Sequence, residues 1–456
     1  MNHNQLDIAS HLHPFTDVQL HEETGPDVIV RGEGSWLFDS AGRKYLDGMA
    51  GLWAVGLGYS EQRLVDAAGK QLKQLPYYHT FAHKSNVPAI ELAHKLLQML
   101  PFPMSKAFFT NSGSEAVDTA LKLATCYRNA LGQTKKKIVI ARQRAYHGVG
   151  MASGSATGLP VVHRSFDLPI PTVVHTACPH YWKYAAEGET QQQFVDRLAR
   201  ELEELITRLG PGNVNAFIAE PVMGAGGVIV PPEGYFPAIQ EVLDRHDVLM
   251  IADEVVCGFG RTGRMFGSEL AGIRPDIMVF AKQLSSAYVP IGAVTISEAV
   301  YAAIRSSSSA QGVLGHGYTY SGHPVAAAVA LEALRIYEER RVHEHVQKSS
   351  EVFFGALRRL REHPLVGEIR GVGLIAAVEL VARPGTRQPF ATPGKVNAHA
   401  ARKAYECGLI TRALPAGDAL GLCPPLFTSE ADLALIGSRM EAALDATLDF
   451  ARIQGA

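Results

Sequence analysis

From about residue 60 to 325, short and almost uninterrupted apolar runs alternate with helical patterns. The runs are Ala107 to Thr110, Ile138 to Ala141, Thr172 to His175, Ala216 to Ala219, Val248 to Ala252, Ile277 to Ala281 and Ala293 to Ile296. Helical periodicity spans Ser114 to Ala130, Gln191 to Leu209 and Gly234 to Asp247. Strands without polar alternation are buried on both faces, and helices between them provide the crossovers and the cover. The pattern therefore predicts a mostly parallel sheet between helical layers. After about residue 330 the character changes. A helix over roughly Glu344 to Glu362 leads to Ile369 to Glu379, read as one strand with a glycine bend, and a final helix starts near Thr428-Ser429. A smaller α+β domain is expected there. Residues 1 to about 50 are mixed, with a strand-like Val28-Ile29-Val30 and a hairpin near Gly42.

Composition excludes several classes. The 456 residues are 47% hydrophobic and 19% charged, with a net charge of -2, so a general attraction to nucleic acid or to an anionic membrane is not expected. No run reaches the ~18 apolar residues of a spanning helix. The N-terminus has no basic stretch followed by an apolar one. Five scattered cysteines without a C-x-x-C pair read as free thiols. A cytoplasmic enzyme is the expectation. No histidine spacing matches a metal motif, so no metal is expected; His11-Leu12-His13 and His343-Glu344-His345 read as solvated.

Two strand ends carry the most chemistry. Lys282 follows the run Ile277 to Ala281, and Asp253-Glu254 follow Val248 to Ala252. An amine and an acid at the ends of two buried strands suit pyridoxal 5'-phosphate (PLP). The amine forms the Schiff base, and the acid keeps the pyridine nitrogen protonated. Thr110 to Ala116 contains a Ser-Gly-Ser turn (Ser112, Gly113, Ser114) that opens a helix, which is either a phosphate cradle or a helix cap. Tyr146-His147-Gly148 offers an aromatic near a strand end, and Glu220 precedes the glycine-rich Gly224 to Gly227. Gly258 to Gly263 fits G-x-G-x-x-G, but Asp253 to Cys257 separate it from the strand and a poor helix start follows. A dinucleotide site is therefore not expected.

With these segments, Asp47 to Trp53 and Gly317 to Pro324, the chain resembles class III aminotransferases of PLP fold type I, and among them the amine:pyruvate ω-transaminases. The resemblance runs from His13-Pro14-Phe15 to the last helix. It implies a seven-stranded large domain at 56–328, a smaller α+β C-terminal domain at 329–456, and an N-terminal segment at 1–55 packing with the latter. It assigns Lys282 as the Schiff-base lysine and proton shuttle, and Asp253 as the partner of the pyridine nitrogen. Ser112, Gly113 and Ser114 would bind phosphate, Tyr146 and Val255 would cover the two ring faces, and His147 would belong to the cofactor shell. Glu220 would support the phenolic edge. Thr319 would reach the phosphate of the other subunit, so a homodimer with shared sites is implied, with a tetramer left open. Phe15, Leu52, Trp53, Phe81, Tyr146 and Ala225 would line the pocket, and the family arrangement allows Phe81 to come from the partner. Arg412 would be the mobile arginine that takes a carboxylate. Ala82 and Met223 depart from the large aromatic and the glutamine common at these places.

The implied activity moves an amino group from an amine or ω-amino acid to pyruvate or another 2-oxo acid. Alternatives are a narrower diamine, ω-amino acid or taurine aminotransferase, a decarboxylase or aminomutase on the same fold, and a non-catalytic binding relative. The intact Lys282 and Asp253 speak against the last.

Overall fold

Seven strands pair into one sheet in the computed structural model, which describes residues 1–454. They are β1 (Met104–Thr110), β2 (Ile138–Arg142), β3 (Val173–Thr176), β4 (Val214–Ala219), β5 (Leu249–Asp253), β6 (Ile277–Phe280) and β7 (Gly292–Ser297). Their spatial order is β1-β7-β6-β5-β4-β2-β3. All neighbours are parallel except β7, which runs antiparallel to both β1 and β6. β4, β5 and β6 are buried at every position, as their unbroken apolar composition requires.

Two four-stranded sheets complete the α/β fold. One holds Ile29–Glu33, Trp36–Asp39 and Lys44–Asp47, and Leu409–Ile410 pairs in parallel with the last of these. The other holds Val366–Val372, Ile375–Leu380, Ala419–Leu422 and Arg412–Ala413. The single bent strand expected over Ile369 to Glu379 is instead an antiparallel hairpin. Gly373 makes the reversal at φ +61°, where a Cβ would lie 2.3 Å from the Arg261 carbonyl.

Further differences lie near the N-terminus and at two histidine pairs. Helices His3–Ser10 and Val18–Thr24 form in a stretch read only as mixed. His11 and His13 are not simply solvated: with His21 they gather around Asp7. His345 stacks on Phe427 with centroids 4.7 Å apart, and His343 is half-buried.

The G-x-G-x-x-G segment has a structural part. Arg261 is fully buried and donates to the carbonyls of Leu374 (2.8 Å) and Pro424 (2.6 Å), joining the large-sheet region to the C-terminal one. No helix among the described residues is long and apolar enough to cross a membrane.

Candidate active site

Parallel pairing brings the ends of β4, β5 and β6 to one edge. Ala219 is opposite Ala252, and Asp253 is opposite Val279. Glu220, Asp253 and Lys282 therefore leave the sheet side by side. Lys282 turns off β6 at φ +48°, an uncommon conformation for a residue other than glycine, and starts a short 3₁₀ turn ending at Ser285. Burial lowers its pKa from the usual amine value, against the opposing fields of Asp253 and Glu220. The shift is toward the neutral amine, which is the nucleophilic form.

Asp253 is buried and both oxygens are engaged. One accepts from His147 Nδ1 at 2.7 Å, and the other accepts the Val255 N–H at 3.0 Å. His147 is held in turn by its backbone N–H donating to Thr157 Oγ1 at 2.8 Å. Glu220 accepts the N–H of Tyr146 at 3.1 Å and that of Gly224 at 2.8 Å, while burial raises its pKa. It thus ties the Tyr146 segment to the glycine-rich loop. Ala225 in that loop is half-buried. Met223 points away into a cluster with Ala145, Cys178 and Ile229.

Helix Gly113–Ala130 begins at the same edge. Ser112 is its N-cap, accepting from Glu115 N at 3.2 Å, which is the helix-cap reading of this turn. The first amides, Gly113 and Ser114, face outward from the cap with the positive end of the helix dipole. A Cβ at Gly113 would come within 3.2 Å of Val255, which seats Val255 against the turn. Gly148, at φ +126°, passes so close to Ser114 that a Cβ would meet its Oγ at 2.7 Å. Ser114 Oγ also accepts from Val149 N.

These features fit PLP by their chemistry. A helix N-terminus with two glycine approaches could hold the phosphate, a carboxylate oriented by an imidazole could hold the ring nitrogen, and a free amine lies within the field of two acids.

The predicted pocket residues differ in exposure and surroundings. Phe15 is 60% exposed, at φ +50°, and flanks a 590 Å³ groove with Val149, Met151 and Phe166. Leu52 is exposed, whereas Trp53 is buried with Met49, Val222 and Leu414, its indole N–H without a partner among the described residues. Phe81 and Thr319 are exposed and belong to one unit. Tyr77 donates to the Thr319 carbonyl at 2.8 Å, Asn86 donates to that of Gly322, and Phe81 presses on Gly317. Ala82 follows Phe81 at φ +50°. Arg412 is half-buried and has no acid partner among the described residues; Tyr146 and Lys282 feel its charge, and burial lowers its own pKa.

Sequence reading gave His147 no specific partner and took Cys423 as one of five free thiols, which it is, without placing it near Lys282. The Cys423 thiol is buried near Lys282 and pushed up to about 11 by that burial. It is far from Lys282 in the chain, and no local pattern marks it.

An amine beyond one parallel strand, an acid at the end of the next and an anion cradle on the adjoining helix define a PLP-enzyme site. The Aminotransferase class-III family model matches residues 20–444, and the chain belongs to that family. It is 50% identical over 423 residues to gamma aminobutyrate transaminase 1, mitochondrial, of Solanum lycopersicum, covering 92% of this chain and 82% of that one. Vanillin aminotransferase of Capsicum annuum is 49% identical, with 92% of each covered. The ω-transaminase of Pseudomonas jessenii in complex with PMP superposes with a TM-score of 0.97 at 52% identity over 99% of each chain. The protein is a PLP-dependent class III ω-transaminase that takes an amine donor and an oxo-acid acceptor.

His147→Phe should free one Asp253 oxygen without removing the carboxylate. Cofactor affinity should fall roughly 10–100-fold, the range for loss of a partner behind a ligand. His147→Gln, which keeps a donor, should recover part of it. Equal cofactor retention in all three proteins on dialysis would show that Asp253 needs no such support.

Proposed function

We propose that the enzyme transfers the amino group of a primary amine or ω-amino acid to pyruvate or a related 2-oxo acid, in a site shared between two subunits. The observation that carries this reading is Arg412, a half-buried guanidinium left without a carboxylate beside Tyr146. Relatives named for γ-aminobutyrate and for vanillin span a substrate with a carboxylate and one without. A thermostable ω-transaminase variant engineered for asymmetric synthesis of enantiopure bulky amines, 51% identical to this chain, is altered at a tryptophan, a phenylalanine and an arginine, spaced in sequence as Trp53, Phe81 and Arg412 are here. The domain division belongs to the same reading: 1–55, 56–328 and 329–456, with the first segment joined to the last. The pairing of Leu409–Ile410 with Lys44–Asp47 supports that joining.

Bound PLP supplies an electron sink for the carbon that bears the amino group. Asp253, steadied by His147, would hold the proton on the ring nitrogen. The Gly113 and Ser114 amides and the Ser112 and Ser114 hydroxyls would bind the phosphate, Tyr146 and Val255 would contact the ring, and Glu220 keeps the Tyr146 segment in place. Lys282 Nζ, whose pKa burial lowers, would hold the cofactor and serve as the acid–base group at the carbon that bears the amino group. Phe15, Leu52, Trp53, Phe81, Tyr146 and Ala225 shape the apolar walls. Amine and oxo acid use the same walls in turn, which gives ping-pong kinetics.

Lys282→Ala should lose turnover beyond the ~10²–10⁴-fold typical of lost acid–base catalysis. Steady-state alanine formation measures this, and retention of more than about 1% would overturn the assignment.

Arg412 has two tasks. A fixed buried guanidinium would suit a carboxylate but leave an unpaired charge against an apolar amine, at a cost of several kcal/mol. A long side chain that swings aside serves both, and its fork pairs bidentately with a carboxylate. Arg412→Ala should raise KM for pyruvate strongly and leave the half-reaction with a carboxylate-free amine nearly intact. Arg412→Lys should restore pyruvate use only in part. Stopped-flow of each half-reaction reads the split, and equal effects on both halves would make Arg412 structural.

The exposed Phe81–Thr319 unit supports sharing of sites. Lys282→Ala and Thr319→Arg proteins should each be impaired alone. Mixed and reassembled, they should regain activity, because one hybrid site then combines an intact Lys282 with an intact partner's Thr319. No recovery from verified hybrids would place Thr319 in its own subunit's site or outside it.

A further inference from the structure

Away from the sheet edge, four metal-binding side chains meet at the N-terminus. Asp7 lies on helix His3–Ser10, His21 lies on helix Val18–Thr24, and His11 and His13 lie on the connection. One Asp7 oxygen is 2.9 Å from His13 Nε2 and 2.9 Å from His21 Nε2; the other is 3.3 Å from His11 Nδ1. The rings crowd together, with His11–His13 centroids 4.4 Å apart and His13–His21 centroids 4.1 Å apart. Donor atoms of Asp7, His11 and His13 all lie within 4.8 Å of one another.

The helices have 8 and 7 residues and neither contains a buried one. Helices this short fall below the ~12–15 residues needed for stability alone in water. The polar cluster is therefore the main link between them, and hydrogen bonding alone serves it poorly. Protonating all three imidazoles sets like charges about one ring width apart, and leaving them neutral gives crowded rings sharing one carboxylate. A cation among Asp7, His11 and His13 meets all three at once, and His21 Nε2, 2.9 Å from the same carboxylate, is the fourth donor at hand. Three imidazoles and a carboxylate are the donors preferred by zinc and its d-block neighbours, whereas calcium and magnesium prefer oxygen sets. The cluster is reachable, since His11 is exposed and a 250 Å³ groove runs beside it.

We propose that Asp7, His11, His13 and His21 form a site for one divalent transition-metal ion of the zinc class, which clips the two N-terminal helices together. The imidazoles bind as neutral ligands and the carboxylate as an anion, so any imidazole proton is released to solvent on binding. The imidazole–carboxylate hydrogen bonds give way to four metal–ligand bonds. The loop closed by this clip carries Phe15, so the ion fixes that segment. The site does not depend on the aminotransferase reading.

The test uses PLP-loaded enzyme dialysed against a chelator. Zn²⁺ is titrated calorimetrically, and Co²⁺ is followed by its visible bands, which report tetrahedral geometry. One ion per chain should bind at micromolar or tighter affinity. His13→Gln and His21→Gln should each weaken it by more than about tenfold, the least expected when even an indirect partner is lost. Cofactor absorbance should stay unchanged in both variants, which shows that the rest of the fold is intact. Zn²⁺ should also protect the stretch between Ser10 and Val18 from proteolysis. Binding only at millimolar concentration, or binding that both substitutions leave untouched, would overturn the proposal.

Discussion

Parallel pairing of β4, β5 and β6 is the constraint on which the site depends. Parallel neighbours must end at the same edge, so three chain segments far apart in sequence deliver Glu220, Asp253 and Lys282 to one place. The pleat then separates neighbours. Asp253 turns toward His147, while Glu254, next in the chain, turns away to accept from Gly267 N, Ser268 N and Ser268 Oγ. Both acids are buried, yet only one faces the reacting edge. Burial pushes Glu254 up to about 7 despite its three donors, so its neighbour's place beside an imidazole gives Asp253 a different environment one residue away.

The large sheet is legible in the sequence because its strands carry an unbroken apolar signature. All seven appear within a few residues of their predicted bounds. Lys282 and Asp253 are legible for the same reason: charge directly after a buried strand is conspicuous. The hairpin at Gly373 escapes notice because its turn is so short that the apolar pattern hardly breaks. The N-terminal helices escape it because they bury nothing and therefore show no apolar stripe. Contacts between distant segments leave no local trace. His147 meets Asp253 across 106 positions, and Arg261 resembles part of a phosphate loop until its carbonyl partners are visible. Arg412, Thr319 and Phe81 are marked only by resemblance to a family, since no local pattern around them points to a role.

The buried arginines of this chain give the best measure of what is unusual about Arg412. Arg128 meets both oxygens of Asp247, at 3.0 and 2.9 Å. Arg370 pairs with Glu368 and Glu379, each at 2.7 Å, and its Nε donates to the Gly227 carbonyl. Arg261 has two backbone carbonyls. Folding thus supplies these three guanidinium groups with acceptors where they are withdrawn from water, whereas fully buried Arg142 donates to the Glu220 carbonyl and keeps two nitrogens without partners among the described residues.

Arg412, half-buried, differs from Arg128, Arg370 and Arg261 in having neither an acid nor a carbonyl partner for its side chain among the described residues, and its surroundings keep it in place. The loop after it is pinned: Arg144 donates to the Ala416 carbonyl, Asn397 donates to the carbonyls of Leu414, Gly417 and Ala419, and Asp418 accepts from Gly394 N. Its own strand is anchored through Arg412 opposite Gly421. Backbone movement is therefore restrained on both sides, and the freedom left to this residue is that of its side chain. A guanidinium on a fixed backbone, with no carboxylate partner among the described residues, can be satisfied by water or by an incoming carboxylate. In the proposed reading, the same restraint would set the distance at which a substrate's carboxylate arrives, so that Arg412 could serve two kinds of substrate without rebuilding the walls around it.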